Sequence, residues 1–263
     1  LACFAILAAS SCSTTRVLQD EEYRLARNKI VITNDKEFNT NSLEPYLKQI
    51  PNPAILLGWN PFLYVYNWSN GKGKTWDKLV QGIGVEPVVY EADMVDASIE
   101  NMLSRLNYIG YYGSAIESKI DVKKKDVNVT YNVTLGKRLP IRDIEITLPE
   151  DGTFSKDFLA DTSAMLINIG DYLSEDLLEK ETVRASAAMK NLGYYEFSKN
   201  NFFFEADTLT DPGSAILNMS IREYTRNASP KDAQPIRKFY IDDVTISYPK
   251  SLNIKDKVLR ELH

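Results

Sequence analysis

The sequence is poor in the residues that most often carry chemistry. Its 263 residues contain one histidine, His263, and two cysteines, Cys3 and Cys12. A Ser-His-Asp triad, a Cys-His pair and a histidine-rich metal site are therefore nearly excluded. Both cysteines lie in the first dozen residues, so no disulfide can link the folded body to itself. We expect no enzyme activity, no metal and no cofactor.

Positive charge is also scarce. Lys and Arg total 31 against 36 for Asp and Glu, which gives a formal net charge of -5. This balance does not support binding to a phosphate backbone, so no nucleic-acid partner is expected. Beyond the N-terminus, no apolar run approaches the roughly 18 residues that a membrane-spanning helix needs. The chain is nevertheless 44% hydrophobic, which is enough for a packed core.

The first residues have the pattern of an export signal. An apolar run is followed by the small residues Ala9, Ser10 and Ser11 and then by Cys12. This order is typical of a secretory signal and its cleavage region. It resembles a bacterial lipoprotein signal, in which the cysteine thiol is acylated, although Ala9 stands where Leu is preferred. We predict a signal and anchor at residues 1–15 with lipid attachment at Cys12. An ordinary secretory signal or a buried strand is the alternative.

The body of the sequence contains an internal repeat. Two sets of apolar residues each run into Gly-Tyr-Tyr, and their glycines, Gly110 and Gly193, are 83 positions apart. Each set follows 4-3-4 spacing, which places its side chains on one face of a helix. A glycine directly after such a helix is typical of a left-handed C-terminal cap. The two sets are Val95, Ile99, Met102 and Leu106, and Leu178, Thr182, Ala185 and Met189.

Two predicted strands follow each of these helices. Alternation of apolar and polar residues indicates half-buried antiparallel strands. In the first repeat they are residues 115–122 and a strand with Val127, Val129, Tyr131, Val133 and Leu135 on one face. In the second they are residues 202–206 and a strand with Leu217, Met219 and Ile221. Short strands at 141–146 and 241–246 open the next units, and a helix is predicted at 157–166.

These repeats define the expected domains. The first unit covers residues 16–138, the second 139–224, a linker 225–235, and a truncated third unit 236–263. In the first unit, residues 24–33 are predicted to supply the opening strand and residues 42–50 the first helix. The resulting order in each unit is strand, helix, helix, strand, strand. Two helices can cover one face of a three-stranded sheet.

An aromatic insert interrupts the first unit at about residues 51–89. Two interpretations are compatible with this insert. It could be an exposed recognition loop, or it could be a structural extension whose aromatic side chains pack against the first unit. Because large aromatic side chains are usually buried, we favour packing. The aromatic residues are Trp59, Phe62, Tyr64, Tyr66, Trp68 and Trp76.

The unit order and the helix that runs into Gly-Tyr resemble a POTRA domain of the BamA/TamA family of outer-membrane proteins. The family's Leu-x-x-x-Gly-Tyr motif is present as Leu106 to Tyr111, and again as Met189 to Tyr194 with Met replacing Leu. Its structural residues here are Gly110, Tyr111, Gly193 and Tyr194. With the lipoprotein-type start and an insert ending in Pro-Val-Val-Tyr, the chain is similar to the lipid-anchored TamA-like lipoproteins of Bacteroidetes.

The resemblance implies an α+β fold of tandem POTRA-like β-α-α-β-β units, each a three-stranded sheet covered by two helices, with a C-terminal barrel absent from this fragment. It also implies a periplasmic location at the bacterial outer membrane, and a role in binding unfolded outer-membrane proteins by β-augmentation. The edge strand would be the one after Gly-Tyr. Candidate contact residues on the two edges are Ile120, Val122, Phe202 and Phe204, for which simple core packing is the alternative.

Two further partners follow from the same resemblance. One is a TamB-like inner-membrane protein, and the other is the membrane, reached through the lipid anchor and the missing barrel. A different class of function also fits the residues. The chain could be a free-standing periplasmic lipoprotein with a structural role, or one that binds a sugar or a peptide.

Overall fold

The computed structural model describes residues 14–55, 60–69, 75–150, 152–225, 227–228 and 230–246. Cys3, Cys12, Trp59 and the part of the expected third unit after residue 246 lie outside these ranges. Two compact units divide the chain: the described parts of 1–144, 167–179 and 206–217, and those of 145–166, 180–205 and 218–246. Within the described ranges, no helix is long and apolar enough to cross a bilayer.

The first sheet has three strands, β1 (Arg24–Ile32), β2 (Ala115–Lys123) and β3 (Asp126–Thr134), in the order β1-β3-β2. β3 is central, parallel to β1 and antiparallel to β2. Its apolar residues are at most 2% exposed, because one face of the sheet is covered. The strands predicted at residues 24–33, 115–122 and 127–135 are all present in the first sheet. The buried residues of β3 are Val127, Val129, Tyr131 and Val133.

Helix α3 (Ala92–Tyr108) packs over this sheet through the predicted face. Val95, Met102 and Leu106 are buried in one cluster with Leu25 and Leu43. The helix predicted at residues 42–50 is wrong.

Two 3-10 turns, Thr40–Ser42 and Glu44–Tyr46, replace the predicted first helix. Pro45 lies in the second turn and has no backbone N–H, so it cannot donate the bond that an α-helix interior needs. The first sheet is therefore covered by one long helix and two short turns.

The insert folds into two short helices, α1 (Pro61–Tyr66) and α2 (Thr75–Ile83). Leu63 and Val80 are buried, whereas Trp68 and Trp76 are 53% and 54% exposed. The expectation that the aromatics of the insert pack inward is therefore wrong for these two tryptophans. The two helices therefore pack through smaller side chains such as Leu63 and Val80, and the indole rings of Trp68 and Trp76 remain exposed to solvent.

The second sheet repeats the first, with β4 (Ile141–Thr147), β5 (Phe202–Asp207) and β6 (Ala215–Ile221) in the order β4-β6-β5. Its helices are α4 (Thr153–Asp161) and α5 (Glu175–Asn191). The alternation in β6 is strict, and its buried residues are Ala215, Leu217, Met219 and Ile221. Two three-stranded sheets with helices confirm the α+β fold class.

Two boundaries in the C-terminal half of the chain differ from the prediction. The helix expected at residues 157–166 is displaced towards the N-terminus, because Phe154 and Phe158 lie on one helical face and both enter the core. The strand expected at residues 241–246 is not formed. Ile241 and Val244 are 85% and 68% exposed, and no strand of the described residues pairs with this segment.

Candidate functional site

The candidate site is the outer edge of β2, the last strand of the first sheet. The inner edge of β2 pairs with β3 along its whole length, from Ala115 opposite Thr134 to Lys123 opposite Asp126. Among the residues that the structure describes, no strand pairs with the outer edge. Backbone N–H and C=O groups that point outward are therefore free to bind an extended chain.

One face of β2 presents a partly apolar surface beside this edge. Ile116, Ser118, Ile120 and Val122, which we call the β2 strip, lie opposite the buried residues of β3 and so on the core face of the sheet. Ile120 and Val122 are nevertheless 46% and 51% exposed. The core cluster includes Ile116 but not these two. The structure thus places predicted Ile120 and Val122 together at an accessible edge.

The opposite face of β2 is charged. Glu117, Lys119, Asp121 and Lys123 alternate in sign and are all exposed. Lys123 and Asp121 form an ion pair of 3.3 Å, which in this exposed setting contributes little to stability. Lysines on an edge strand oppose pairing with another sheet, because that pairing would desolvate them. The outer edge of β2 is therefore unpaired, but its charged side chains oppose pairing with another sheet.

The second predicted edge strand, β5, is different. Phe202 is fully buried, with ring centroids 5.4 Å from Phe197 and 6.2 Å from Phe158. Its assignment as a partner-binding residue is wrong, because its side chain has no accessible surface. Phe204 stacks on Phe202 at 6.2 Å and is partly buried against the same core. These two phenylalanines pack the core, which was the alternative.

The other face of β5 is also occupied. The guanidinium of Arg222 lies 4.3 Å from the ring centroid of Phe203, and Tyr224 approaches the same ring edge-on at 5.5 Å. Arg222 also pairs with Glu205 at 3.7 Å. The β5 edge offers much less apolar surface to a partner than the β2 edge does.

The Gly-Tyr motif forms the same helix end twice. Gly110 and Gly193 have φ angles of +90° and +100°, the left-handed region that glycine tolerates best. The following tyrosine N–H donates to the carbonyl five residues back, Tyr111 to Leu106 at 2.8 Å and Tyr194 to Met189 at 3.0 Å. This is the Schellman pattern that ends a helix. The motif therefore positions the chain before each edge strand.

The two motif tyrosines are structural. Tyr111 packs edge-on against Phe38 with centroids 5.5 Å apart. Tyr194 is 1% exposed, and its hydroxyl donates to Asp157 at 2.8 Å. Burial, and then this hydrogen bond, raises the pKa of Tyr194 to about 12. Lys238 also donates to Asp157, and with Tyr194 it lowers the pKa of that carboxyl.

Sequence reasoning missed two features of the first unit. Ser118 belongs to the β2 strip, and the spacing of every second residue from Ile116 to Val122 could have found it. Asn67 is 2% exposed and binds the backbone of Thr14 and Val17, for which the sequence carries no signal. Within the described ranges, no three potential metal ligands come together.

Solved structures that are similar to this chain include POTRA regions of other proteins, at low sequence identity. POTRA domains 3–5 of Haemophilus influenzae BamA share 14% identity and a TM-score of 0.40, over 93% of this chain and 79% of that one. BamA of Haemophilus ducreyi lacking POTRA domains 1–3 shares 13% sequence identity with this chain and has a TM-score of 0.38. The match covers 76% of this chain and 29% of that one. POTRA domains 1–2 of Omp85 from Anabaena share 10% sequence identity with this chain and have a TM-score of 0.31. The match covers 76% of this chain and 96% of that one.

Sequence comparison is more specific. No curated protein matches the chain. Residues 27–136 match the POTRA family, described as the surface antigen variable number repeat. The matched range starts within β1 and ends just after β3, so it contains most of β1, all of β2 and β3, and the insert. The predicted resemblance is confirmed for this part of the chain: residues 27–136 are similar to a POTRA domain.

Proposed function

We propose that this chain is the periplasmic POTRA arm of a BamA/TamA-family assembly factor, and that it binds unfolded outer-membrane proteins by β-augmentation on β2. The POTRA match supports the family. The observation that carries the binding mode is the free outer edge of β2 beside the half-exposed side chains of Ile120 and Val122. The role is binding, without catalysis.

Both properties of the edge suit a strand-forming ligand. An incoming strand gains main-chain hydrogen bonds that do not depend on its sequence. Its alternate side chains can rest on the β2 strip, which an alternating apolar and polar segment of an unfolded barrel protein would satisfy. The charged opposite face contacts water and accepts the polar side chains of the same ligand. β-Augmentation at this edge therefore needs no rearrangement of the core.

Lipid attachment at Cys12 and a TamB-like partner remain part of the proposal. Cys12 lies outside the described residues, so its support is the apolar run and the small residues that precede it. An acylated Cys12 would hold the first unit close to a membrane surface. The free-standing lipoprotein stays the alternative, and the test below distinguishes it by the absence of strand binding.

Proline substitution on β2 tests β-augmentation. Neighbouring residues of an antiparallel strand direct their N–H groups alternately to the partner strand and away from it. Of Lys119→Pro and Ile120→Pro, one therefore removes an outward donor and leaves the pairing with β3 intact. In that folded variant, we expect crosslinking of a radiolabelled unfolded outer-membrane protein to weaken by about tenfold, since one or two hydrogen bonds are lost.

Glu205→Pro and Ala206→Pro on β5 form the matched pair of controls, because they place proline on the other edge strand. Circular dichroism identifies the folded variant of each pair. Full crosslinking by the folded β2 variant would refute β-augmentation at β2. Loss of crosslinking in the β5 variant alone would move the site to β5.

A further inference from the structure

Helix α2 of the insert presents an apolar face to solvent. Trp76, Leu79 and Ile83 are separated by three and four positions, so they lie on one side of the helix. They are 54%, 54% and 56% exposed. Asp77 and Val80, on the neighbouring side, are only 3% exposed. The helix therefore buries a carboxylate and exposes a tryptophan, which is the reverse of an ordinary surface helix.

This apolar face, which we call the α2 stripe, is held in a defined position. Gly84 directly follows α2, and a Cβ atom there would lie 2.4 Å from the backbone N of Tyr66 in α1. The N–H of Val85 donates to the carbonyl of Phe62 at 3.0 Å. These contacts fix α1 against α2. They also keep Trp68, 53% exposed, in the same two-helix insert as the stripe.

The insert also forms hydrogen bonds with residues 14–17, which follow the predicted anchor in sequence. The amide of buried Asn67, just after α1, donates to the carbonyl of Thr14 at 2.9 Å and accepts from the N–H of Val17 at 3.1 Å. Cys12 is two residues before Thr14, and two residues span at most about 7 Å. Whatever surface an acylated Cys12 enters therefore lies within a short reach of the insert.

We propose that the α2 stripe rests on the phospholipid surface in which the acyl chains of Cys12 are embedded. The proposal builds on the lipid attachment proposed above. Tryptophan favours the membrane interface, because its ring is apolar and its N–H can bond to headgroups or water. Residues 70–83 contain Lys72, Lys74 and Lys78 and a single acidic residue, the buried Asp77. Their charge therefore suits anionic headgroups.

The stripe would act as a second membrane contact. The acyl chains of Cys12 would fix only the N-terminus at the bilayer, and a helix lying in the interface adds apolar contact area close to that attachment. Because Asn67 shortens the path from Cys12 to the insert, the stripe gains a high effective concentration at the bilayer. The result would be a first unit held at the membrane by a lipid and a helix together.

Fluorescence of Trp76 tests this contact in the full, membrane-extracted chain. Trp59→Phe and Trp68→Phe leave Trp76 as the single tryptophan. In vesicles of phosphatidylglycerol and dibrominated phosphatidylcholine, we expect the emission of Trp76 to shift to shorter wavelength and to be quenched. Emission that is unchanged by brominated lipid would overturn the proposal. So would shielding of Trp76 by a crosslinked protein instead of lipid.

Flotation of the unlipidated Cys12→Ser chain separates this proposal from lipid attachment. We expect Leu79→Ser with Ile83→Ser to weaken its partition into phosphatidylethanolamine and phosphatidylglycerol vesicles by at least about tenfold. Leu159→Ser with Val183→Ser is the matched control, since these helix residues are 53% and 55% exposed. An equal effect of both pairs would refute the stripe.

Mass spectrometry of the N-terminus reports lipid attachment independently. If Cys12 is unmodified but flotation still depends on Leu79 and Ile83, the stripe binds lipid and the anchor proposal fails. If Cys12 is acylated but Trp76 is not quenched, the anchor holds and the stripe proposal fails.

Discussion

At the residue scale, Gly110 shows how strictly the end of α3 is built. Its φ of +90° already favours glycine, and a Cβ atom would lie 2.4 Å from the carbonyl oxygen of Leu173. A backbone atom cannot rotate away as a side chain can, so the contact must be relieved by moving the chain. We expect Gly110→Ala to lower the free energy of unfolding by about 3 kcal/mol, measured by urea denaturation.

Gly113 provides the control for backbone conformation alone. Its φ is +71°, and a Cβ atom there meets nothing within 4 Å. Gly113→Ala should therefore cost only about 1 kcal/mol, from the left-handed conformation itself. Equal losses in the two variants would show that the approach to Leu173 does not matter.

At the element scale, the charged side chains beside the outer edge of β2 should oppose pairing of this edge with a second copy. Lys119 lies on the charged face, between Glu117 and Asp121. We expect Lys119→Leu to raise self-association by on the order of tenfold, because it removes a charge that opposes edge pairing and adds apolar area beside the unpaired edge. Sedimentation velocity measures the dimer fraction.

Lys190→Leu adds the same apolar area on helix α5, where no strand edge is open. This variant should leave the dimer fraction unchanged. If it associates as strongly as Lys119→Leu, added hydrophobicity and not the edge would be responsible.

Elements with a strong local period were predictable from the sequence. The alternation from Val127 to Val133 identified β3, and the 4-3-4 spacing from Val95 to Leu106 identified α3, because each repeats a burial pattern along a single element. The Gly-Tyr motif correctly located the two helix ends. The edge position of β2 followed from the family resemblance, and Ile120 and Val122 are indeed accessible there.

Features decided by packing between distant segments were not predictable. Phe202 has the same strand position as an edge contact but is buried by Phe158 and Phe197, which come from a helix and a loop. Trp76 is apolar and could be buried, but the side chains of α2 that are buried are Asp77 and Val80. The spacing of residues within one element does not predict the burial of Phe202 or the exposure of Trp76. Both depend on which face of the element packs against another element.

At the scale of the whole molecule, the surfaces with proposed functions belong to one compact unit. The β2 edge, the α2 stripe and the Thr14–Val17 segment all lie in the first unit, which also carries the POTRA match. A substrate edge and a membrane contact on one unit would place captured strands near the bilayer that receives them. The contact of Asn67 with the segment that follows the proposed anchor is then the point on which this arrangement depends.

Asn67→Ala tests that link. The side chain makes three hydrogen bonds, to Val17, Thr14 and Leu63, and its loss leaves the N-terminal segment held by fewer contacts. At about 1 kcal/mol for each bond, the segment should open at least roughly tenfold more often. Trypsin cleavage after Arg16, followed by mass spectrometry, should accelerate by a similar factor.

Asn52→Ala is the matched control for this test. Asn52 also joins two backbone groups within the insert, the carbonyl of Glu86 at 2.9 Å and the N–H of Val88 at 3.0 Å, but neither belongs to the N-terminal segment. Its loss should leave cleavage after Arg16 unchanged. Because both variants remove an asparagine that bridges backbone, a difference between them isolates the tether itself. Equal cleavage rates would mean that Asn67 does not hold the anchor segment, and the short path from Cys12 to the α2 stripe would lose its physical basis.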